Sequence, residues 1–286
     1  MDTFTVDASF VARSIPPRRK DSHKGMNGTV CVVGGSRLYH GAPFLCASGA
    51  LRCGVDLVYI AVPATVAPSV RSLSPDFIVI PLPDAKLTKG NVNRLMHWVP
   101  PVGCMAVGPG LGPQNTEHIS YLVNQFRGVA NGFVLDADAL RSGVLPSAKA
   151  AGALVTPHAG EYERLFGSKP PDEVRERSEA VASKALESGV TVLLKGPTDI
   201  ISDGKRVALN TTHSPSMTVG GTGDVLTGIA AALISKGVDT FTAACSAAFI
   251  NGSAGLEAAR DLGHHISASD VVARIPVVMK RFDRTV

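Results

Sequence analysis

Short apolar runs alternate with longer amphipathic segments from residue 25 to about residue 265. Runs that are apolar throughout are typical of strands covered on both faces, and the longer segments are typical of crossover helices. The pattern therefore predicts an α/β fold with a mostly parallel sheet. The predicted strands are 28–33, 56–62, 77–80, 103–107, 132–135, 153–155 and 190–194.

The segments between the strands predict helices of different character. Pro43 fits the first turn of a helix that continues to Arg52, and its small residues imply close packing. Residues 119–126 follow the spacing of an amphipathic helix, whereas residues 225–234 predict a buried helix that ends at Gly237. A long alanine-rich helix is expected over 241–259, and residues 199–209 predict a hairpin with an Asp203-Gly204 turn.

A glycine-rich turn precedes the buried helix, and a carboxylate lies in the first turn of that helix. Gly220, Gly221 and Gly223 can adopt backbone angles closed to other residues, so their N–H groups can converge on one phosphate. The positive end of the helix dipole adds to that attraction. Asp224 is then either a base that takes a proton beside the phosphate or a capping charge, and the glycine content favours the phosphate site.

Composition limits the partners and the compartment. The 286 residues include 28 Lys and Arg against 24 Asp and Glu, and much of that excess lies in short runs at the two chain ends, where we expect solvated tails. With 5% aromatic residues and no basic stripe inside the chain, nucleic-acid binding has no support, whereas a small anionic ligand suffices. We expect one large domain over 25–286, with residues 1–24 set apart as an arm.

The five cysteines lie in apolar or small-residue runs and form no C-x-x-C pair, which is typical of buried thiols in a reducing compartment. The chain start lacks the order of a signal peptide, and no apolar run is long enough to cross a bilayer. The sequence therefore predicts a soluble, cytoplasmic protein without a membrane partner.

Two glycine motifs follow predicted strands at the edge where a parallel sheet gathers ligands. Residues 34–36 are no Walker A loop, because no Gly-Lys-Ser/Thr follows at the right distance. Residues 108–112 have G-x-G-x-G spacing stiffened by two prolines, so we reject a dinucleotide fingerprint there. Residues 34–36 are either a tight strand-to-helix turn or a ligand contact, and residues 108–112 remain a candidate surface for close backbone approach to a ligand.

Polar residues follow three further strands. Asp136 and Asp138 are either a turn with a helix cap or polar groups of a cleft. His158 and Glu161 are either a hydrogen-bond donor with a carboxylate that orients water or Mg²⁺, or a turn followed by a helix start. Lys195 interrupts apolar sequence and offers an ammonium to nucleotide phosphates.

In this order the motifs resemble the ADP/ATP-dependent NAD(P)H-hydrate dehydratases of the ribokinase-like superfamily, over about 25–282. Kinases of that superfamily typically have Asn where this chain has His158, which favours the dehydratases. The resemblance implies a ribokinase-like three-layer αβα sandwich with a mostly parallel central sheet. It is carried by residues 28–36, 41–42, 50–54, 108–112, 135–140, 156–161, 195–198, 220–226 and 268–270.

The resemblance also implies an activity. The S epimers of NADHX and NADPHX, which are NADH and NADPH hydrated at C6, would be dehydrated while ADP or ATP is cleaved with Mg²⁺. Asp224 would be the catalytic residue, and Glu161 would arrange Mg²⁺ indirectly. The implied substrate contacts are Ala42, Gly110, His158 and Asp224, and the implied nucleotide contacts are Lys195, Gly196, Thr198, Gly220, Gly221, Thr222 and Gly223.

Two departures and two alternatives accompany this interpretation. Many relatives have His-Gly where this chain has Asn251-Gly252, and many bacterial relatives carry an epimerase domain that this chain is too short to hold. A separate epimerase and a homotetramer are therefore expectations from the resemblance. The alternatives are a vitamin-precursor kinase, which would use Asp224 on a substrate hydroxyl, and a nucleotide-binding regulator without turnover.

Overall fold

One ten-stranded sheet runs through the computed structural model, which describes residues 3–286. Its strands are β1 (Thr3–Thr5), β2 (Thr29–Val33), β3 (Leu57–Pro63), β4 (Ile78–Leu82), β5 (Cys104–Val107), β6 (Phe133–Leu135), β7 (Leu154–Val155), β8 (Thr191–Leu194), β9 (Asp199–Ser202) and β10 (Val207–Asn210). Their order in the sheet is β1-β10-β9-β8-β7-β6-β5-β2-β3-β4. Each predicted strand is present, with ends shifted by one or two residues.

The sheet is parallel except at β9, which pairs antiparallel with both β8 and β10. The chain builds outward from β2 through β3 to β4, and then returns to place β5 on the other side of β2. Strand order therefore reverses between β2 and β5, and ligands of such sheets bind beyond the carboxyl ends of the strands at that point. The predicted hairpin is confirmed as β9 and β10.

Helices cover both faces of the sheet, which confirms the three-layer fold. Helices α1, α2, α3, α9, α10 and α11 share one hydrophobic core with one face, and α4 to α8 share a second core with the other face. The helices are α1 (Ala8–Ser14), α2 (Gly41–Arg52), α3 (Ala67–Arg71), α4 (Lys89–Trp98), α5 (Thr116–Phe126), α6 (Leu145–Ala150), α7 (Ala159–Phe166), α8 (Val174–Ser188), α9 (Thr222–Ser235), α10 (Thr240–Leu262) and α11 (Ala268–Met279).

Helices α2 and α9 pack against each other through glycines. A Cβ at Gly228 would lie 1.9 Å from the carbonyl oxygen of Cys46, and a Cβ at Gly49 would lie 2.6 Å from the carbonyl oxygen of Val225. Backbone atoms cannot rotate away as side chains can, so only glycine allows this approach. The close packing expected from the small residues is confirmed, and it fixes α9 under the site described below.

Gly228→Ala should lower the free energy of unfolding by about 3 kcal/mol, because overpacking against backbone forces the two helices apart. Urea unfolding of both proteins measures the difference. Gly128→Ala is the matched control, since a Cβ there has nothing within 4 Å. Equal stability of the Gly228 variant and the control would contradict this packing.

The two chain ends are part of the fold. Within the expected 1–24 arm, β1 extends the sheet beside β10, and Val11 of α1 is fully buried. The Arg18 amide donates to the Arg284 carbonyl at 2.8 Å, and the Val286 amide donates to the Arg18 carbonyl at 3.0 Å. The two basic runs are exposed to solvent as expected, but their backbones pair with each other, so they are not free tails. The first two residues lie outside the described part, and the division at residue 24 stays a prediction.

The cysteines and the apolar face of α5 are buried, as the sequence predicts. All five cysteines are free and buried, as predicted, and burial raises the pKa of the Cys31 thiol to about 12. The predicted amphipathic face of α5, which includes Ile119 and Phe126, is fully buried. None of the helices within residues 3–286 combines the length and apolar character needed to cross a membrane.

Candidate active site

The glycine turn ends where α9 begins, and its glycines have different roles. Gly221 caps α9 with φ of 96°, and a Cβ there would lie 2.5 Å from Leu45. Gly220 and Gly223 are not at positive φ, so the expectation of special backbone angles is confirmed at Gly221 alone. A Cβ at Gly220 would meet nothing within 4 Å, and one at Gly223 would lie 3.3 Å from Lys195 Nζ. Because these two residues are glycines, they place no side chain between the N-terminus of α9 and the Lys195 ammonium.

Asp224 lies in the first turn of α9 and is half-buried. Burial, followed by the nearby Asp136 carboxylate, raises its pKa to about 8, against the lowering effect of Lys195. Glu161 and Asp138 add to the rise. In its deprotonated form a carboxylate with a pKa near 8 accepts a proton more readily than an ordinary carboxylate, which is the property of a general base. It makes no hydrogen bond that caps the helix, because α9 has no side-chain cap.

Lys195 joins the ends of three strands and α9. Its Nζ donates to Asp136 Oδ1 at 2.9 Å and lies 3.6 Å from Glu161 Oε2. Burial lowers the pKa of Lys195, but Asp136, Glu161 and Asp224 outweigh burial and leave the pKa raised. The ammonium therefore stays charged beside the helix N-terminus, where an incoming phosphate would lie.

Asp136 is the buried anchor of this network. It is 2% exposed, and its Oδ2 accepts from Thr227 Oγ1 at 2.7 Å, one turn after Asp224 on α9. The sequence left Asp136 and Asp138 as either a turn with a helix cap at Asp138 or polar groups of a cleft. The structure buries Asp136 between Lys195 and Thr227, without a capping bond. Thr227 was missed, although its i, i+3 spacing from Asp224 places both on one face of α9.

His158 and Glu161 form a capping box at the start of α7. His158 Nδ1 accepts from the Gly160 amide at 3.0 Å and the Glu161 amide at 3.3 Å, while Glu161 Oε2 accepts from the His158 amide at 2.8 Å. Because Nδ1 is an acceptor, the neutral ring carries its proton on Nε2. The helix-start interpretation is therefore correct, and the His158 side chain, 61% exposed, still offers Nε2–H to a ligand.

A cavity of about 750 Å³ opens beside the α9 N-terminus. Five of the sequence-predicted residues line it. Asp224, Glu161, Thr198, Gly220 and Gly221 lie outside its lining. Leu226, Ala248 and Met217 give it an apolar wall suited to a planar base. The predicted residues in its lining are His158, Lys195, Gly196, Thr222 and Gly223.

Asn251 completes the same cavity. Its Nδ2 donates to the Thr222 carbonyl at 3.3 Å, whereas its Oδ1 is buried without a hydrogen-bond partner. A buried acceptor without a partner costs about 1–3 kcal/mol, so a ligand that donates to it would recover that energy. The sequence singled out Asn251 only as a departure from relatives, because the pairing of its amide group depends on the distant Thr222.

Ala42 and Gly110 form a second group, where the sheet order reverses. A Cβ at Gly110 would lie 3.0 Å from the Ala42 Cβ and 2.4 Å from the Tyr39 carbonyl oxygen. The structure therefore brings Ala42 and Gly110 together as predicted, but neither lines the cavity that contains His158.

Strand β6 ends in strained backbone next to this second group. Gly108 approaches the Asp136 carbonyl so closely that a Cβ there would lie at 1.8 Å. Asp138 Oδ2 accepts from the Gly112 amide at 2.8 Å, so Asp138 also serves the loop and not a helix cap. Ala137 has φ of 50°, a left-handed conformation that costs energy in a non-glycine residue and is common at functional sites.

Within residues 3–286, no group of three or more His, Cys, Asp or Glu side chains is arranged to hold a metal ion. Glu161 is 8% exposed, and its carboxylate is already committed to the capping box and Lys195. Mg²⁺ needs few protein ligands when phosphate oxygens and water supply the rest. The residues present therefore fit an ion that is held mainly by nucleotide phosphates and water.

Comparison with known proteins gives a family for this arrangement. The family model for NAD(P)H-hydrate dehydratase matches residues 30–277. The chain is 48% identical to an ADP-dependent (S)-NAD(P)H-hydrate dehydratase of Cenarchaeum symbiosum over 96% of both chains. It is 47% identical to a bifunctional NAD(P)H-hydrate repair enzyme of Pyrobaculum aerophilum over 93% of this chain and 53% of that protein.

Solved structures agree with the fold. The ADP/ATP-dependent NAD(P)H-hydrate dehydratase of Bacillus subtilis, co-crystallised with ATP and Mg²⁺, superposes with a TM-score of 0.82 at 26% identity, over 99% of this chain and 100% of that chain. A hydroxyethylthiazole kinase of Pyrococcus horikoshii superposes with a TM-score of 0.61 at 13% identity over 96% and 93%, which shows a shared fold alone. With the family model spanning most of its length, the chain belongs to the NAD(P)H-hydrate dehydratase family.

Proposed function

We propose that the chain is an ADP-dependent (S)-NAD(P)H-hydrate dehydratase that restores NADH and NADPH from their C6 hydrates. The observation that carries the proposal is the half-buried Asp224 in the first turn of α9, with Lys195 beside the open glycine turn. A base, a cation and a row of backbone amides at one place are what transfer of a phosphoryl group to an alcohol requires. Relatives at 47–48% identity with this name support the choice.

The nucleotide would occupy the cavity beside α9. Its phosphates would lie against the amides of Gly221, Thr222 and Gly223, with the Lys195 ammonium on their flank. The base would lie along the apolar wall, and the unpartnered Asn251 Oδ1 offers an acceptor to a ligand donor. We propose Gly196, Thr198 and Gly220 as further nucleotide contacts from their motif positions.

The proposed reaction has two steps, which are phosphorylation of the C6 hydroxyl and elimination of phosphate. Asp224 takes the proton of the C6 hydroxyl, the oxygen attacks the terminal phosphorus of ADP, and AMP leaves. Hydroxide is a poor leaving group and phosphate is a good one, so phosphorylation prepares the next step. The C6–O bond then breaks as the ring nitrogen donates its electron pair. Phosphate leaves in that step, and loss of a C5 proton to water then restores the dihydropyridine ring.

The hydrated cofactor would enter from the point where the sheet order reverses. We propose Ala42 and Gly110 as substrate contacts there from their motif positions, and the close packing of Gly110 against Ala42 and the Tyr39 carbonyl fixes the backbone at this point. His158 would donate its Nε2–H to the substrate from the edge of the neighbouring cavity. Mg²⁺ would neutralise charge on the nucleotide phosphates, with Glu161 orienting one of its waters.

Purified protein mixed with NADH hydrate and ADP tests the proposal when NADH absorbance is followed. We expect NADH, AMP and free phosphate to form together in equal amounts. An intact phosphorylated product without NADH would favour the kinase alternative. Tight nucleotide binding without any turnover would favour a regulator, and either result would overturn the proposal.

The value of kcat/KM should rise about tenfold per pH unit below pH 8 and become level above it. Burial and Asp136 raise the pKa of Asp224 to about 8, and a general base acts only when it is deprotonated. Lys195, whose pKa is raised, keeps its charge over the same range. Initial rates at low substrate between pH 6 and pH 9 measure the profile. A flat profile would contradict the role of Asp224.

Partners and assembly follow from the same family. We propose a single catalytic domain over residues 25–286 that works with a separate epimerase in the cytoplasm and forms a homotetramer. The P. aerophilum relative, almost twice the matched length, is named as bifunctional, which supports the link to a second repair activity. Gel filtration with light scattering tests the tetramer.

A further inference from the structure

A second cavity lies at the end of the sheet opposite the cleft. It measures about 290 Å³ and is formed by residues just before β2 and β3, by the two chain ends and by the ends of three helices. Helices α2 and α9 run from the cleft to this cavity, over 12 and 14 residues. At 1.5 Å per residue the two sites are about 20 Å apart, so a ligand in one does not touch a ligand in the other.

Five cationic side chains line this cavity, against one carboxylate. Arg18 is neutralised by Asp56, to which it donates at 2.7 Å. The Arg52 guanidinium and the Lys280 ammonium make no hydrogen bond or ion pair within residues 3–286, and Lys236 Nζ donates only to the Cys53 carbonyl at 2.6 Å. The Arg284 guanidinium donates to the Ile15 carbonyl, so four ammonium or guanidinium groups face the cavity without a carboxylate partner.

Helix dipoles account for part of this charge. Arg52, Lys236 and Lys280 lie at the C-terminal ends of α2, α9 and α11, where cations are favourable. Each helix end carries about half a negative charge, so three ends offset about 1.5 of the three positive charges. The remaining pair of lining charges, Arg284 and Asp283, cancels. A net positive charge of about 1.5 is left in the cavity.

We infer that this cavity binds a small phosphate-bearing anion, up to the size of a mononucleotide. The charge left over matches a phosphate dianion, and each lysine ammonium has donors to spare. The rim is apolar, with Pro16, Pro17 and Met26, which suits a ligand with an organic part. Both chain ends contribute lining residues, and the backbone pairing of Arg18 with Arg284 holds these ends together.

Isothermal titration with pyrophosphate tests the inference, in magnesium-free buffer of low ionic strength. The double variant Arg52→Gln/Lys280→Gln should bind about tenfold more weakly or worse, because it loses two charge-assisted hydrogen bonds. Asp283→Asn should bind more tightly, since it removes the one carboxylate of the lining. Lys205→Gln, a change at an exposed turn lysine outside the cavity, should bind as the wild type does.

Pyrophosphate that enters the glycine turn contributes equally to all four proteins, because every substitution lies away from the cleft. Titration with orthophosphate and with AMP then distinguishes a bare inorganic anion from a nucleotide, since only AMP gains from the apolar rim. Identical isotherms for the wild type and the double variant would overturn the inference. Because no turnover is measured, failure of the repair reaction would leave this result unchanged.

Discussion

Asp224→Asn should reduce the rate of NADH formation by about 10³-fold while the protein still binds ADP. Asparagine keeps the size of the side chain and its place in the first turn of α9, but it cannot accept the hydroxyl proton. The amides and Lys195, which hold the nucleotide, are unchanged. Single-turnover rates and ADP titration on the same preparation measure the two quantities. Turnover within tenfold of the wild type would remove Asp224 from its assigned role.

The melting temperature of Asp224→Asn is the control for this variant, and the direction of its change follows from the pKa of Asp224. The folded-state pKa of Asp224 is about 8, above the ordinary value of 3.8, so folding favours the protonated form. That contribution is fully present below about pH 4 and is lost as pH rises to about 8. Asparagine does not titrate, so the variant should gain in melting temperature relative to the wild type over this window. A variant that melts earlier at pH 8 would contradict the raised pKa.

The elements of the fold were predictable because each is specified locally. Strand β2 is apolar throughout, since both faces are covered, and α5 repeats its apolar positions with helical period. The pairing of the two chain ends was not predictable. It depends on hydrogen bonds between Arg18 and Arg284, which are separated by almost the whole chain and carry no local pattern.

As with the fold, part of the candidate site was predictable from the sequence and part was not. The glycine turn, Asp224 and Lys195 were found because residue types and strand ends locate them, and the structure places them together. The separation of His158 from Ala42 and Gly110 was not foreseen, because a shared motif order does not state which side of α9 a residue faces. The family resemblance predicted the reaction, and the structure shows which residues lie next to each functional group.

Asp136 shows why its polar network could not be predicted from the sequence. Its two partners are Lys195 after β8 and Thr227 in α9, and no spacing rule joins positions so far apart. A buried carboxylate needs such partners, so its presence at a strand end indicated either a surface turn or a complete polar network. Only the folded structure distinguishes the surface turn from the buried network.

Lys195→Met should lower the free energy of unfolding by about 3–5 kcal/mol and abolish measurable nucleotide binding. Methionine fills a similar volume, but it leaves the Asp136 carboxylate, 2% exposed, without its cation. Glu161, whose carboxylate lies 3.6 Å from Nζ in the wild type, then repels an incoming phosphate. Urea unfolding and ADP titration measure the two effects.

The double variant Lys195→Met/Asp136→Asn separates charge from packing. If the loss of stability comes from the uncompensated carboxylate, neutralising Asp136 should recover most of it, because Asn can still accept from Thr227. Nucleotide binding should stay lost, since the ammonium beside Gly223 is absent in both variants. Equal stability of the single and double variants would show that Lys195 stabilises the fold through contacts other than Asp136. Recovery of ADP binding by the double variant would remove Lys195 from the proposed phosphate site.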